Sequence, residues 1–409
     1  MKSMRVVFLS PAAELGGAER CLIDCIAALR DAPLKVDVTL LSLSAGPLVT
    51  QAQALGAEVQ VIEPPRELSE FGESGDGGSL GALASQVTSA PSLLRFVGKL
   101  RQAIEQRSPD VVHSNGMKAH ILAGLLTPRS SRLVVHLHDF IGSRRASKHI
   151  LPTLARLRPR TVFVANSHAV ADDFRHLAAR ADVRPVYNVV DIDYFSPGRA
   201  EPAWLAERAQ LPPPGSEAVS FGLVATYARW KGHALFIEAA GRLRAARPDL
   251  DLRFYIVGGP IYRTAGSQVT ASELRGLGRA AQIDGCLGLV PFQEDVSRVF
   301  RALNVVVHSS TQPEPFGRTI VEAMACARPV IVTRGGGASE LFQHGENAWG
   351  VPPSDAPALA EAMALLLNEK LRRQLGEAAR AHAIKGFSRS RLASQLLSIY
   401  RAGRADRTT

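Results

Sequence analysis

The sequence lacks long hydrophobic runs. No stretch of its 409 residues approaches the roughly 18 to 20 apolar residues of a membrane-spanning helix, which argues against an integral membrane protein. The apolar core near the amino terminus, Val6–Leu9, is too short for a secretory signal and fits a first buried strand better. Cysteine is scarce as well. Four residues in the whole chain provide no disulfide framework, so a reduced, cytoplasmic protein is expected.

The charge is spread along the chain rather than concentrated. The net charge of +10 comes from 48 basic and 38 acidic residues. Residues 1–200 carry 23 basic and 19 acidic residues (+4), and residues 201–409 carry 25 and 19 (+6), so neither half is a nucleic-acid-binding arm. The segment 141–160 differs, with six positive charges and no carboxylate. It is either a solvated helix face or a contact for anionic lipid head groups or a phosphorylated substrate.

Two nucleotide-binding signatures are missing from the sequence. No Gly-x-Gly-x-x-Gly follows the first candidate strand, and no Walker lysine motif occurs in the chain. A dehydrogenase and an NTPase are therefore both disfavoured. No internal repeat is evident, so a solenoid or a propeller is not expected.

A recurring pattern is present instead: a short apolar run, a polar or glycine-rich loop, and an amphipathic helical stretch. Because the runs are almost continuously apolar, they fit strands buried on both faces of parallel sheets in a doubly wound α/β architecture. The candidate strands are Arg5–Leu9, Val36–Leu41, Val59–Ile62, Val111–His113, Leu133–Leu137, Thr161–Ala165, Arg184–Val186, Val219–Ala225, Leu252–Val257, Val305–His308 and Val330–Thr333.

Two Rossmann-like domains are predicted, residues 1–200 and 201–387. A proline-rich linker ending near Gly215 separates them. The stretch Pro64–Pro91 fits a surface insertion. The helix predicted at 388–402 is amphipathic, with Leu392, Leu396, Leu397 and Tyr400 on one face, and it must therefore pack on another part of the chain; its return to the first domain is implied only by the family resemblance given below.

Small, polar and charged residues follow the candidate strands. Since ligands of open parallel sheets bind beyond the carboxyl ends of the strands, these residues predict a ligand cleft between the domains. They are Gly16-Gly17, His113-Ser114-Asn115, His138-Asp139 and Asn166-Ser167-His168 in the first half, and Tyr227–His233, Gly258-Gly259, Ser309–Gly317 and Gly335-Gly336-Gly337 in the second.

The most informative segment is Glu314–Ala325, EPFGRTIVEAMA. We place Glu314 in the loop before a helix and Glu322 one to two turns inside it. A carboxylate can accept two hydroxyl hydrogen bonds from a sugar diol or a ribose. The backbone N–H groups at the helix start suit a diphosphate, and they belong to Phe316, Gly317, Arg318 and Thr319. The competing interpretation is that Glu322 is a solvated helix residue and Glu314 an ordinary turn residue.

The segment as a whole resembles glycosyltransferase family 4, the retaining, nucleotide-sugar-dependent enzymes of the GT-B fold. Both have two glutamates eight positions apart, with Pro-Phe-Gly after the first. Further similar segments follow in the family's order: Leu15–Glu19, His138-Asp139, Asn188–Asp191 with Phe195 and Pro197, Lys231-Gly232-His233 and Gly336–Glu340. The resemblance implies two Rossmann-like domains facing each other across a cleft.

The resemblance also implies roles for individual residues. Lys231 is expected to bind the donor diphosphate, Glu314 hydroxyls of the donor sugar, and Glu322 the ribose. Gly16 and Gly17 admit the phosphates, and His138 contacts the transferred sugar. The backbone near Val290 reads the base, with uridine expected ahead of guanosine, and no cofactor is expected.

The activity implied by this resemblance is transfer of a hexose-type sugar with retention of configuration. The expected acceptor is a glycan or a lipid-linked glycan, in polysaccharide or cell-envelope biosynthesis. Association with the inner face of the membrane through residues 141–160 is a further hypothesis.

Two departures from the family pattern concern charge. The family's arginine five residues before the lysine is Thr226 here, and Arg229 either supplies the missing guanidinium, which we favour, or is a surface arginine. Asp191-Ile192-Asp193 could share a divalent cation. We interpret it instead as a polar end to the first domain, because it lies outside the donor motifs. No His/Cys spacing indicates a zinc site, and activity without a metal is predicted.

Two alternatives stay open at this point. A nucleotide-sugar epimerase of the GT-B fold would need acid/base carboxylates in the first domain, where only Asp139 is apparent. A non-catalytic subunit of a glycan-assembly complex would tolerate the loss of Glu314.

Overall fold

The computed structural model describes residues 3–65, 90–144, 146–260 and 267–402. Most of the stretch Pro64–Pro91 lies outside these ranges, as does Arg145 of the basic segment. The chain forms two compact units, one of Met1–Val189 with Arg389–Thr409 and the other of Val190–Ser388.

The first unit contains a seven-stranded, fully parallel sheet in the order β3-β2-β1-β4-β5-β6-β7. Its central strands are buried on both faces, as expected when helices cover both sides of a parallel sheet. The strands are β1 Met4–Ser10, β2 Val36–Ser42, β3 Glu58–Val61, β4 Val111–Asn115, β5 Arg132–Leu137, β6 Val162–Ala165 and β7 Asp182–Pro185. The helices are α1 Gly17–Arg30, α2 Pro47–Ala54, α3 Ala90–Arg107, α4 Met117–Leu126, α5 Ser147–Leu157 and α6 His168–Leu177.

The second unit contains a six-stranded parallel sheet in the order β10-β9-β8-β11-β12-β13. The strands are β8 Val219–Val224, β9 Leu252–Val257, β10 Leu287–Val290, β11 Val305–His308, β12 Val330–Thr333 and β13 Trp349–Val351. The helices are α7 Pro202–Arg208, α8 His233–Ala246, α9 Ala271–Ala280, α10 Val296–Ala302, α11 Arg318–Ala325, α12 Ala356–Leu365 and α13 Glu369–Gly386, with 3₁₀ turns at Arg229–Lys231 and Gly337–Glu340. The doubly wound α/β prediction is thus confirmed for both halves.

The sequence pattern missed two short strands and misplaced a third. β10 (LGLV) and β13 (WGV) each contain a glycine, which weakens a strand signal, and β13 is only three residues long. β7 covers Asp182–Pro185 rather than Arg184–Val186. The proline-rich linker, predicted without regular structure, contains α7, which begins with Pro202 in the first turn, where the missing N–H costs nothing.

The units divide after Val189, eleven residues before the predicted boundary at 200. Residues 190–200 contact the second unit instead. The Val190 N–H donates to the Phe387 carbonyl at 3.0 Å. The Arg380 guanidinium donates to the carbonyls of Ile192 and Phe195 at 2.9 and 2.8 Å. These bonds attach the start of the segment to α13, so the boundary falls before the linker.

The last helix, α14 Arg389–Arg401, belongs to the first unit. Its apolar face is buried in the same core as Cys21 and Cys25 of α1. The Tyr400 hydroxyl lies 2.6 Å from His113 Nδ1 in β4. The amphipathic pattern predicted that this helix would pack on another part of the chain, and its place in the first unit is the one that the family resemblance implied.

Among the residues that the structure describes, no helix combines the length and the hydrophobicity that crossing a membrane would require.

Candidate active site

The candidate site of the second unit lies at the carboxyl ends of β8 and β11. These strands are neighbours in the sheet although β9 and β10 lie between them in sequence. The order of connections reverses at this point, and such a switch leaves a crevice beyond the strand ends where ligands of doubly wound sheets bind. The loop after β8 carries Lys231, and the loop after β11 carries Glu314.

Gly232 allows the two loops to touch. Its φ is +75°, a left-handed conformation that favours glycine. A Cβ built at this position would lie 1.7 Å from the Ser309 carbonyl oxygen. The Ser309 hydroxyl in turn donates to the Lys231 and Gly232 carbonyls, both at 3.1 Å. The Lys-Gly-His order therefore fixes the lysine against the loop that follows β11.

Glu314 receives three donors on one oxygen. Lys231 Nζ lies 2.6 Å from Oε2, the Ser310 hydroxyl 3.0 Å and His308 Nε2 3.2 Å. The residue is only 7% exposed. Burial alone would raise the pKa of Glu314, but the Lys231 charge and the His308 hydrogen bond outweigh it and hold the pKa well below its usual range. The site therefore holds an ionised carboxylate beside an ammonium group.

Helix α11 begins directly after this cluster. Gly317 precedes it with a φ of +95°, and the first-turn N–H groups of a helix, here those of Arg318 and Thr319, point along the axis out of its N-terminus. The Phe316 ring is buried and meets Phe387 edge-on at 6.1 Å, so this residue contributes its backbone rather than its side chain. The carbonyl of Glu314 accepts from the Gly337 N–H at 2.8 Å, which joins the site to the glycine turn after β12.

The interpretation of Glu314 and Glu322 as ordinary surface residues is wrong. Each is 7% exposed and each forms an ion pair. Glu322 lies one turn inside α11, where Arg318 Nε approaches its Oε1 at 3.4 Å. A carboxylate is rarely buried to this extent unless a cation compensates for its lost hydration.

Arg229 lies on the surface. Its side chain is 53% exposed and pairs with Glu273 at 2.8 Å. That hydrogen bond is the main reason why the pKa of Glu273 falls to about 2. To replace the arginine missing at Thr226, Arg229 would have to leave Glu273, and its role as a donor ligand stays a prediction. The adjacent Trp230 ring faces Lys231, whose Nζ lies 3.9 Å from the ring centroid.

Val290, expected to help read the base, is fully buried at the end of β10. Its carbonyl accepts from the Gly258 N–H at 2.9 Å, so that part of its backbone is already engaged. One lone pair of the carbonyl remains available.

The glycine loop of the first unit joins β1 to α1. The Glu19 side chain accepts from the Gly16 N–H at 3.1 Å, a capping interaction at the start of the helix. A Cβ at Gly16 would lie 2.8 Å from the Glu19 carboxylate, whereas a Cβ at Gly17 would meet no atom within 4 Å among the residues described. Gly17 thus presents open backbone beside a helix start, a geometry that admits an anion.

His138 follows β5, and its Nε2 lies 2.6 Å from the Asn115 side-chain oxygen at the end of β4. Its ring stacks on His136, with centroids 4.3 Å apart. His136, two residues earlier in β5, is buried. His113, expected to line the cleft, is instead 1% exposed and lies between His136 and Tyr400. That expectation was wrong because α14 covers β4.

Two further groups of side chains have the composition of metal ligands. Cys21, His136 and His138 offer ligand atoms within 4.8 Å of one another. Each of the three also makes a hydrogen bond to a protein side chain: the Cys21 thiol donates to Asn188 at 2.9 Å, His136 Nδ1 lies 3.2 Å from His113, and His138 Nε2 lies 2.6 Å from Asn115. The Asp191 carboxylate accepts the N–H groups of Asp193 and Tyr194, both at 3.1 Å, and so closes a turn. The prediction of metal-independent activity remains a prediction.

His308 is a site residue that the sequence interpretation missed, whereas Ser310 lies within the loop Ser309–Gly317 that was singled out. His308 is the last residue of β11. His308 was assigned to the strand itself, and the last residue of a strand can still point toward the ligand edge. The strand-end signal could have included it, but nothing in the sequence indicated its bond to Glu314.

Comparison with known proteins gives matches in both units. Residues 15–194 match the family described as Glycosyltransferase Family 4, and residues 207–382 match Glycosyl transferases group 1. A D-inositol 3-phosphate glycosyltransferase of Arthrobacter is 30% identical over 344 residues, which cover 76% of each chain. The enzyme of that name from Corynebacterium urealyticum is 31% identical over 248 residues, 59% of this chain and 56% of the relative.

A solved structure agrees over nearly the whole length. The structure of the Anabaena protein HepE in complex with UDP and glucose superposes with a TM-score of 0.79 at 25% identity, over 98% of this chain and all of the other. Together with two parallel α/β units and a buried lysine–glutamate pair, the similarity defines a glycosyltransferase of the GT-B type. The chain belongs to the group 1, or family 4, glycosyltransferases.

Proposed function

We propose that the chain transfers a hexose-type sugar from a nucleoside diphosphate sugar, UDP-linked in preference to GDP-linked, to a glycan or lipid-linked glycan acceptor. The observation that carries the proposal is the buried Lys231–Glu314 pair next to the start of α11. A cation beside a helix N-terminus suits a diphosphate, and a carboxylate suits sugar hydroxyls. The Anabaena neighbour, crystallised with UDP and glucose, supports this choice of ligand.

In the proposed reaction the bond between the anomeric carbon and the diphosphate oxygen breaks while the acceptor hydroxyl attacks from the same face. The hydroxyl proton passes to the departing phosphate oxygen, and the configuration is retained without a covalent intermediate. Lys231 and the first N–H groups of α11 stabilise the charge that develops on the diphosphate, which supplies most of the rate enhancement. Glu314 holds donor-sugar hydroxyls, Glu322 the ribose, and His138 contacts the transferred sugar.

Nucleotide binding tests the donor site directly. We would compare thermal unfolding with UDP, GDP and ADP at millimolar concentration, since a ligand at 100 times its Kd adds about 2.7 kcal/mol to the stability. UDP is expected to stabilise the wild type and the control Lys370→Ala, which changes an exposed lysine of the second unit, but not Lys231→Ala. Absence of stabilisation by any nucleotide or nucleotide sugar would refute the proposal.

The product then distinguishes the reactions. A glycoside with the donor's anomeric configuration, identified by NMR spectroscopy, is expected with a glycan acceptor, and inverted product would exclude the retaining mechanism. Incubation of the donor sugar without acceptor should leave its stereochemistry unchanged. Appearance of the epimerised nucleotide sugar would favour the epimerase alternative.

A peripheral membrane contact fits the surface around α4 and α5. Leu125 and Leu157 on these helices are 73% and 76% exposed. Cationic side chains lie close by, since burial and the charge of Arg129 both lower the pKa of Arg158. Exposed leucines among basic residues suit an anionic membrane surface, where an acceptor carried on a lipid would be found.

A further inference from the structure

His308 is bonded to the central carboxylate of the donor site. It is 5% exposed, and its Nε2 lies 3.2 Å from Glu314 Oε2. Because an ionised carboxylate only accepts hydrogen bonds, the proton must be on Nε2. Within the described part of the chain, Nδ1 has no hydrogen-bonding partner.

Ser310 completes the arrangement. Its hydroxyl lies 3.0 Å from the same carboxylate oxygen and 3.2 Å from His308 Nε2. The neighbouring strand β12 holds the turn that carries both residues. The Thr333 hydroxyl of β12 donates to the Ser310 carbonyl at 2.7 Å and lies 3.3 Å from the His308 carbonyl. Two further donors on a fixed turn, His308 Nε2 and the Ser310 hydroxyl, therefore reach the same oxygen of Glu314 as Lys231.

All three hydrogen bonds end on Oε2, so Oε1 keeps its lone pairs for a ligand. Lys231 has a second task in the proposed reaction, which is to bind the diphosphate. A diphosphate brings two negative charges and competes with Glu314 for the one ammonium. Without other donors, the carboxylate would be repelled or would take up a proton, and the sugar would lose its acceptor.

We propose that His308, assisted by Ser310, is a positioning residue that keeps Glu314 ionised and oriented toward the donor-sugar hydroxyls after Lys231 has engaged the diphosphate. This inference rests on the proposed function. It predicts that loss of the Nε2 donor impairs handling of the sugar and leaves binding of the nucleotide intact. The effect should fall on kcat more than on KM, because the nucleotide and the diphosphate continue to supply most of the ground-state binding.

Two substitutions of similar size separate hydrogen bonding from packing. In His308→Gln the side-chain amide nitrogen takes approximately the place of imidazole Nε2, and in His308→Asn it takes that of Nδ1. The glutamine variant should retain kcat for UDP-glucose, or for whichever nucleotide sugar the wild type uses, within about threefold. The asparagine variant should lose about 30-fold, the range for a hydrogen bond to a charged group. The Kd for UDP, measured by calorimetry, should match that of the wild type in both.

Three results would overturn the positioning role: wild-type activity in both variants, an equal loss of activity in both, or a drop in UDP affinity that accounts for the loss in activity. If His308→Asn fails to fold, Ser310→Ala serves in its place, with an expected loss of about tenfold in kcat and unchanged UDP affinity. If the wild type binds UDP and both Ser310→Ala and His308→Asn keep its full activity, only this inference is refuted. A wild type that neither binds nor turns over any nucleotide sugar refutes the proposed function and this role together.

Discussion

The two units have the same architecture, but the side chains buried at the ends of their strands differ in charge. In the second unit, ionised groups are buried together: Lys231 with Glu314, and Arg318 with Glu322. In the first unit, the ends of β4 and β5 carry neutral imidazoles. Burial lowers the pKa of His113 and His136 far enough to keep both uncharged at neutral pH.

The difference shows how similar α/β frameworks can serve different tasks. Charges that remain ionised when buried suit a ligand that is itself charged, such as a diphosphate. In the first unit, hydrogen bonds join Tyr400 to His113 and His113 to His136, and the His136 ring stacks on His138. These uncharged rings hold the His138 side chain in place. We infer that the second unit determines donor binding, and that the first contributes orientation.

The strongest test of this contrast removes a charge from the second unit. Glu314→Gln keeps the shape of the side chain but leaves Lys231 without its counterion and the donor sugar without an ionised acceptor. The transfer rate should fall by about 10²- to 10³-fold, while UDP affinity stays within a few fold. Steady-state kinetics check this, with Glu377→Gln as the control on an exposed glutamate, 73% accessible, of the same unit. Full activity of Glu314→Gln would break the comparison.

The matching change in the first unit is His138→Ala. The substitution removes an imidazole whose Nε2 lies 2.6 Å from the Asn115 side-chain oxygen. The transfer rate should fall by about 10²-fold if the ring contacts the transferred sugar near the reacting carbon. UDP should bind as to the wild type. His149→Ala, an exposed histidine of the same unit, is the control, and a large loss of UDP affinity in His138→Ala would place the residue in nucleotide binding instead.

The role of Arg229 tests whether a third charge belongs to the donor site. If its guanidinium leaves Glu273 for the diphosphate, Arg229→Ala should weaken UDP binding by about tenfold, as expected for one charge-assisted hydrogen bond. Glu273→Gln frees the arginine and should leave UDP binding unchanged or tighter. Equal UDP affinities in the wild type and in Arg229→Ala would identify the residue as a surface arginine.

The neutral histidines make the first unit sensitive to acid. Burial lowers the pKa of His120 to about 3, so between pH 6.5 and 3 the unfolded chain binds a proton that the folded chain excludes, and stability falls as the pH falls. His120→Asn should reduce this dependence by about 1.4 kcal/mol per pH unit. The tryptophans, at positions 204, 230 and 349, all lie in the second unit. Circular dichroism should therefore report the change, and tryptophan fluorescence should not.

The smallest expected effect concerns the membrane. Leu157→Glu places a carboxylate on the exposed surface of α5 and should reduce co-sedimentation with anionic vesicles by about fivefold, since partial burial of one leucine side chain in the membrane surface contributes about 1 kcal/mol. Ile384→Glu changes a 42% exposed side chain of the second unit and should have no effect. If the wild type sediments to the same extent with and without vesicles, the hypothesis of a membrane contact is refuted.

Much of the fold could be predicted because it depends on local pattern. Continuous apolar runs such as Val305–His308 can be buried only between two layers of helices, and their alternation with amphipathic stretches leaves few topologies. The same holds for α14, whose apolar stripe required a partner. The short strands β10 and β13 were not predicted, because three or four residues interrupted by glycine carry little periodic signal.

For the candidate site, too, some features could be predicted from the sequence and others could not. Lys231, Glu314 and Glu322 could be identified from the sequence because each belongs to a contiguous motif whose spacing is fixed by one loop or one helix turn. The boundary after Val189 and the burial of His113 could not, since both depend on where α13 and α14 pack.

By itself, then, the sequence determined the two doubly wound sheets, the motifs at their strand ends and the membership of the glycosyltransferase family. Tertiary structure alone decided which residues distant in sequence bond: Lys231 to Glu314, and Arg229 to Glu273. In a parallel sheet each strand end meets neighbours that are distant in sequence or displaced by a crossover helix. The protonation and orientation of a buried side chain depend on those neighbours rather than on the residues beside it in the chain.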